Sequence, residues 1–271
     1  MRINTNMNAM TALNQSTKNT ALAGASMGKL SSGLRINQAG DDAAGLAISE
    51  KMRAQIRGME QADRNVQDGI SLVQTAEGAL EEAGNIVQRM RELSVQGAND
   101  TLSQSDKEKI VTELTELQSE ISKITTETKF NGRSLLDGVS TTVTIQAGAT
   151  GETRELSMGN LSAVATALTV TLTSASTGDA FRTAITTIDS QLEAINKSRA
   201  TLGAQQNRLE ATSSNLTTST ENLTAAESRI RDVDVAKEMM NLSKLNLLNQ
   251  ASQAMMMQAK SQPEGVMQLL R

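Results

Sequence analysis

The sequence has no cysteine, histidine, tryptophan or tyrosine, only two phenylalanines (Phe130 and Phe181) and one proline, Pro263. Without cysteine or histidine the usual zinc ligand sets cannot be assembled, and no serine has an imidazole to activate it as a nucleophile. An enzyme would have to work with carboxylates alone, and no cleft-forming pattern supports one, so neither catalysis nor a cofactor is expected. The shortage of aromatics argues against an ordinary globular core, which buries several. No disulfide argument about compartment can be made. With 26 basic and 30 acidic residues the net charge is −4, dispersed along the chain, which lacks the basic footprint of a nucleic-acid binder. No apolar run approaches the ~20 residues that span a bilayer. No apolar segment follows Met1-Arg2-Ile3-Asn4-Thr5-Asn6, so neither membrane insertion nor a cleaved secretory signal is expected.

What is present is heptad order. Phe181, Ile188, Ile195, Leu202, Leu209, Leu216, Leu223 and Ile230 stand seven residues apart. A straight helix drifts off a strict heptad line, so keeping one requires packing against a partner helix. The second seam position begins as Ile185 and Leu192 and then turns polar with Arg199, Gln206, Ser213, Thr220 and Glu227. A helix of about 50 residues would be about 75 Å long and cannot bury itself. Its natural partner is a predicted helix from about Ala43 to about Gln96, in which Met52, Met59, Val66, Val73, Leu80 and Val87 are also seven apart, with Ile48, Ile56 and Ile70 broadening the stripe. Asp41 or Asp42 would cap it.

Gly97-Ala98-Asn99-Asp100 ends that helix, and Ser105 with Glu108 reads as a capping box for the next. Ile110, Leu114, Leu117, Ile121 and Ile124 then carry a shorter helix that folds back antiparallel after a short connection. From Phe130 the pattern changes. Asn131-Gly132 and Asp137-Gly138 are turn dipeptides. Thr142–Ile145 alternates like a strand and can pair with Arg154–Met158 across a Gly148–Gly151 turn. Val164–Leu172 fits strand or helix equally.

The two ends read differently from the middle. Residues 1–40 carry only Arg2, Lys18, Lys29 and Arg35 as charges. Ile3, Met7, Met10 and Leu13 have helical spacing, continued by Thr17, Ala21 and Gly24. That stripe is too thin to hold a helix alone in water, so order is expected only once a partner covers it. Beyond Val233, apolar residues fall on several faces, among them Val235, Met239, Met240, Leu242, Leu245, Leu247, Leu248 and Met255–Met257. Such a surface usually marks an interaction site. Gly24-Ala25-Ser26-Met27-Gly28 suggests close packing on another helix rather than a membrane dimer signal, because its surroundings are polar. The methionine cluster suits adaptable packing better than a soft-metal site. Asp41-Asp42 reads as a cap and not a catalytic or calcium pair. Residue type alone makes Arg89, Arg91 and Glu92 an ordinary solvated face.

Two blocks carry a family resemblance. Leu30-Ser31-Ser32-Gly33-Leu34-Arg35-Ile36-Asn37 followed by Ala39-Gly40-Asp41-Asp42-Ala43-Ala44-Gly45-Leu46-Ala47-Ile48-Ser49 closely resembles the N-terminal signature of bacterial flagellins. Glu221–Asp234 resembles their C-terminal signature, as does the ending Pro263–Arg271. The resemblance covers about residues 1–138 and 180–271. It implies a structural filament subunit for motility, exported unfolded through the flagellar type III apparatus, located in the extracellular flagellum and assembled as its ends become ordered. The fold expected is mainly α: a long antiparallel helical bundle or coiled coil with a small β-hairpin region. The divisions expected are polymerisation segments at 1–40 and 233–271, rod arms at 41–138 and 180–232, and a short variable β-rich region at 139–179.

Subunit packing is expected at Ile3, Met7, Met10, Leu13, Leu242, Leu245, Leu248, Met255, Leu269 and Leu270. The partner implied first is the chain itself, in a helical homopolymer. An export chaperone, the filament cap and junction proteins follow by resemblance. Gln88–Gln96 also resembles the motif recognised by the vertebrate innate receptor Toll-like receptor 5, which implies Arg89, Leu93 and Glu113 as contacts. A hook–filament junction protein, which shares the end segments, is the alternative role.

Overall fold

The computed structural model describes residues 6–138, 142–172 and 177–269. In chain order these form α1 (Met7–Ser32), α2 (Ala43–Gly97), α3 (Gln104–Glu127), β1 (Lys129–Phe130), β2 (Arg133–Ser134), β3 (Thr142–Gln146), β4 (Thr153–Ser157), α4 (Leu161–Leu172), α5 (Gly178–Arg231) and α6 (Val235–Leu269). The expected mainly helical architecture is therefore present. The chain divides into two compact units, Ile56–Thr220 and the two ends, Met1–Gln55 with Glu221–Arg271. Both α2 and α5 contribute to each.

In the central unit α2 and α5 run antiparallel. Asp63 accepts from Ser213 Oγ at 2.6 Å, Glu77 from Arg199 at 3.5 Å, and Asp189 from Arg91 at 2.6 Å. Phe181, Ile188, Ile195, Leu202, Leu209 and Leu216 of α5 are buried, as are Val66, Val73, Leu80 and Val87 of α2. Both heptad lines thus point into one core. The second seam of α2 is small, with Ala62, Gly69, Ala76 and Ala83 all buried. Where the second seam of α5 turns polar, α2 answers with carboxylates: Arg199 reaches both Glu77 and Glu81, and Ser213 meets Asp63. At the far end of α2 a Cβ on Gly97 would lie 2.6 Å from the Phe181 ring, so only glycine lets that ring seat against the helix terminus.

α3 packs back on this pair through Ile110, Leu114 and Ile121. Its cap is Ser103, not Ser105: the Ser103 hydroxyl accepts from Asp106 N and donates to the Asp106 carboxylate. The helix therefore starts a residue before the expected capping residue, and Ser105 lies within its first turn. Asn131 and Gly132 both have positive φ, 49° and 79°, which suits the turn that closes the β1–β2 hairpin. β3 and β4 pair antiparallel from Thr142↔Ser157 to Gln146↔Thr153, as their alternation anticipated. Val143, Ile145 and Leu156 face inward. The ambiguous stretch is helical: Leu161, Val164, Ala165 and Leu168 of α4 are buried at helical spacing, and Asn160 caps it by accepting from Ala163 N at 3.0 Å. Residues 139–141 and 173–176 of the expected variable region lie outside the described residues.

In the end unit α1 packs on α6. The segments beyond their joining ends are tied by backbone hydrogen bonds, Arg35 N to Arg231 O at 2.6 Å and Val233 N to Gly33 O at 3.0 Å, around a Leu34↔Asp232 bridge. Asp42, of the two candidate caps, holds α2 by accepting from Gly45 N at 2.9 Å. Asp41 instead accepts from Asn37 N and Gln38 N. Ile48, expected to broaden the α2 stripe, is exposed.

Candidate assembly surface

Asn6 starts α1 by accepting from Ala9 N, and α1 ends at Gly33 in the left-handed region. On the side facing α6, the residues covered wholly or in part include Ala9, Ala12, Ser16, Asn19, Ala23, Ser26 and Leu30, alternating by three and four. The corresponding line on α6 is Glu238, Leu242, Leu245, Asn249, Ser252, Met256 and Ala259. The spacing is that of a coiled-coil seam, but apart from Leu30, Leu242, Leu245 and Met256 its content is small or polar. A ladder of hydrogen bonds runs along it. Asn6 Nδ2 donates to Ala259 O at 2.6 Å, Ser16 Oγ to Asn249 Oδ1 at 3.0 Å, Asn249 Nδ2 to Thr20 Oγ1 at 2.9 Å, and Ser26 Oγ to Glu238 at 2.5 Å. These contacts set α1 and α6 antiparallel.

Most of the large apolar side chains point elsewhere. Met7, Met10 and Leu13 are all exposed, and Thr17, Ala21 and Gly24, which continue their line, are exposed too. The stripe read from the sequence is thus real as a line but lies off the α6 contact. Gly24 and Gly28 are likewise not at that contact, since a Cβ on either would meet nothing within 4 Å. Ser26 between them is the buried residue. On α6, Leu248 and Met255 are exposed, Leu242 is half-buried and Leu245 is buried in the seam. Ile3 and Leu270 lie outside the described residues, and Leu269 is placed only as the last residue of α6. Sequence reasoning missed Leu22 and Met27 as members of this outward set, whereas Val235 and Leu247 belong to the apolar surface it read beyond Val233. Of the exposed large hydrophobic residues among those described, only Val95 falls outside the end unit. A groove of about 530 Å³ runs between the helices, its floor including Ala12, Asn19, Ala251 and Ala259.

Near the seam's joining end, Arg231 donates to the Glu50 carboxylate at 2.5 Å. That hydrogen bond holds Glu50 below its ordinary carboxylate value, with Arg53 adding a weaker pull. Arg35 donates to Ile230 O.

The central unit carries the residues of the second predicted site. Arg89 bridges Glu92 and Glu113, at 3.1 Å each, which raises the affinity of its guanidinium for its proton. Arg89 and Glu113 are about half exposed. Leu93 is 3 % exposed and belongs to the core. Such exposed pairs add little to stability. Among the described residues, no helix is long and apolar enough to cross a membrane.

Comparison with known proteins places these features in context. The profile of the bacterial flagellin N-terminal helical region matches residues 3–141, and that of the bacterial flagellin C-terminal helical region matches residues 185–270. The flagellin of Halalkalibacterium halodurans is 55% identical over 274 residues, covering all of both chains. The flagellar filament 33 kDa core protein of Treponema phagedenis is 43% identical, again across both chains in full. Among solved structures, the crystal structure of Bacillus cereus flagellin superposes with a TM-score of 0.51 at 37% identity, covering 60% of this chain and 94% of that one.

Proposed function

The chain belongs to the bacterial flagellin family and is a structural subunit of the flagellar filament, and we propose that it polymerises through the outward faces of α1 and α6. Relatives that match at full length and are named flagellin do not favour the hook–filament junction role. The observation that carries the proposal is the inversion of the end unit: apart from Leu30, Leu242, Leu245 and Met256 its internal seam is small or polar, and most of its large apolar side chains face out.

Magnitudes support this reading. α1 and α6 order 26 and 35 residues, each costing about 1–2 kcal/mol of backbone entropy. Covering a Leu or Met side chain fully stabilises by about 1.5–3 kcal/mol, and a seam of Ala, Ser and Asn has few such side chains. Met7, Met10, Leu13, Leu248 and Met255 gain that burial only against other copies. Leu242 and Leu245 act from within, by holding α6 to α1. In this reading residues 1–40 and 233–271 are the polymerisation segments. Residues 41–138 and 180–232 form the rod, with 139–179 a short variable region. The subunit leaves the cell unfolded, meets an export chaperone, cap and junction proteins on the same end segments, and orders as it inserts into an extracellular filament.

Deleting residues 1–30 or 240–271 tests the proposal. The expected product is a soluble helical protein that forms no filaments in electron micrographs. Filaments formed by either truncation would contradict it.

A second surface is proposed on the central unit, where exposed Arg89 and Glu113 offer polar contacts to the vertebrate innate receptor. Leu93 would serve from below by fixing the α2 turn that presents Arg89. Arg89→Ala should reduce receptor activation by at least about tenfold, the size of one lost charged contact, with unchanged unfolding temperature. Full activation by that variant would remove Arg89 from the site.

A further inference from the structure

Seven methionines of α1 and α6, Met7, Met10, Met27, Met239, Met240, Met255 and Met257, are 47–68 % exposed. By contrast Met90 and Met158 of the central unit are buried. The seam contacts fix where the seven stand. Asn6 on Ala259 sets Met7 and Met10 level with Met255 and Met257, and Ser26 on Glu238 sets Met27 level with Met239 and Met240. Thioethers therefore gather at two levels of the helix pair, on the faces that assembly would cover.

We propose that these methionines are a modification site at which peroxide controls polymerisation, an inference that rests on the assembly reading above. Hydrogen peroxide delivers one oxygen to the thioether sulfur. The O–O bond breaks, an S–O bond forms, the sulfur loses two electrons and the peroxide leaves as water. The product sulfoxide is polar and a strong hydrogen-bond acceptor. Burying it against an apolar helix face without a donor is unfavourable, so the modified subunit is excluded from the growing polymer. Subunits already assembled are shielded because their sulfurs are covered. The reaction reads the assembly state: free chains are vulnerable and polymerised chains are not.

The test treats the full-length free subunit with hydrogen peroxide, locates sulfoxides by peptide mass spectrometry, and measures seeded polymerisation by sedimentation. The exposed methionines should oxidise at least about tenfold faster than Met90 and Met158. The polymerised fraction should fall by at least about tenfold as they do. Filaments treated in the same way should be spared at those positions. Methionine sulfoxide reductases acting on both epimers should restore assembly. A variant with leucine at all seven positions, close to volume-conserving, should polymerise equally well with and without peroxide. If that variant fails to polymerise untreated, the reductase arm decides alone.

Oxidised subunits that polymerise normally, filaments oxidised as fast as free chains, or inactivation that the reductases leave in place would each overturn the proposal. An untreated full-length chain that never polymerises would instead overturn the assembly reading.

Discussion

Gly97 shows how far a single residue can be constrained without any chemistry of its own. It closes α2, and a Cβ there would stand 2.6–2.8 Å from three atoms of the Phe181 ring. An aromatic ring in a packed core cannot swing aside as the end of a lysine can. Gly97→Ala should therefore destabilise the central unit by about 1–3 kcal/mol, as overpacking does, seen as a lower unfolding midpoint in denaturant. An unchanged midpoint would mean that Phe181 has room to move. From the sequence, Gly97 was legible only as a helix breaker and Phe181 only as the start of a heptad line. That the two touch depends on the antiparallel register of α2 and α5, which no local pattern records. The Leu93 side chain is a similar case. Its resemblance to a recognition motif placed it at a surface, while its place on α2 puts it in the core.

Among the elements, the long helices were the most legible. Strict seven-residue spacing over many turns has few explanations, and α2 (Ala43–Gly97) and α5 (Gly178–Arg231) follow their expected bounds closely. Alternation identified β3 and β4, and turn dipeptides located the bends. Short elements were harder. α4 was ambiguous because Ala, Thr, Val and Leu serve either state, and burial against the core decides it. The cap of α3 was misplaced because Ser103 and Ser105 both precede an acidic residue at capping distance, Asp106 and Glu108. The choice is set by which hydroxyl meets a free backbone N–H. Ser103→Ala should cost about 0.5–2 kcal/mol, the usual worth of a cap, while Ser105→Ala leaves the unfolding midpoint nearly unchanged. The reverse order would restore the capping box first read from the sequence.

For the whole molecule, the sequence indicated that the ends are poorly supplied with an apolar seam, and the structure shows where their apolar side chains went. The stripe of α1 was legible as a line but the seam with α6 was not, because amphipathic periodicity identifies a face without saying which neighbour covers it. Here the seam with α6 is built from Asn19, Ser26, Asn249 and their neighbours, a line that hydrophobicity alone does not select. The signal that could have found it is the heptad spacing of small and polar residues, Ala9 through Ser26, which Leu30 closes. A filament subunit benefits from this arrangement. A strong internal seam would let the ends fold early, whereas a weak one defers their order until other copies supply the missing burial.

Amide hydrogen exchange on the full-length chain, free and polymerised, tests that claim most directly. The account predicts that α1 and α6 exchange rapidly in the free subunit and slow by at least about tenfold in the filament. The core of α2 and α5 should be protected in both. Terminal helices already as protected as that core in the free chain, with no further slowing on polymerisation, would contradict it.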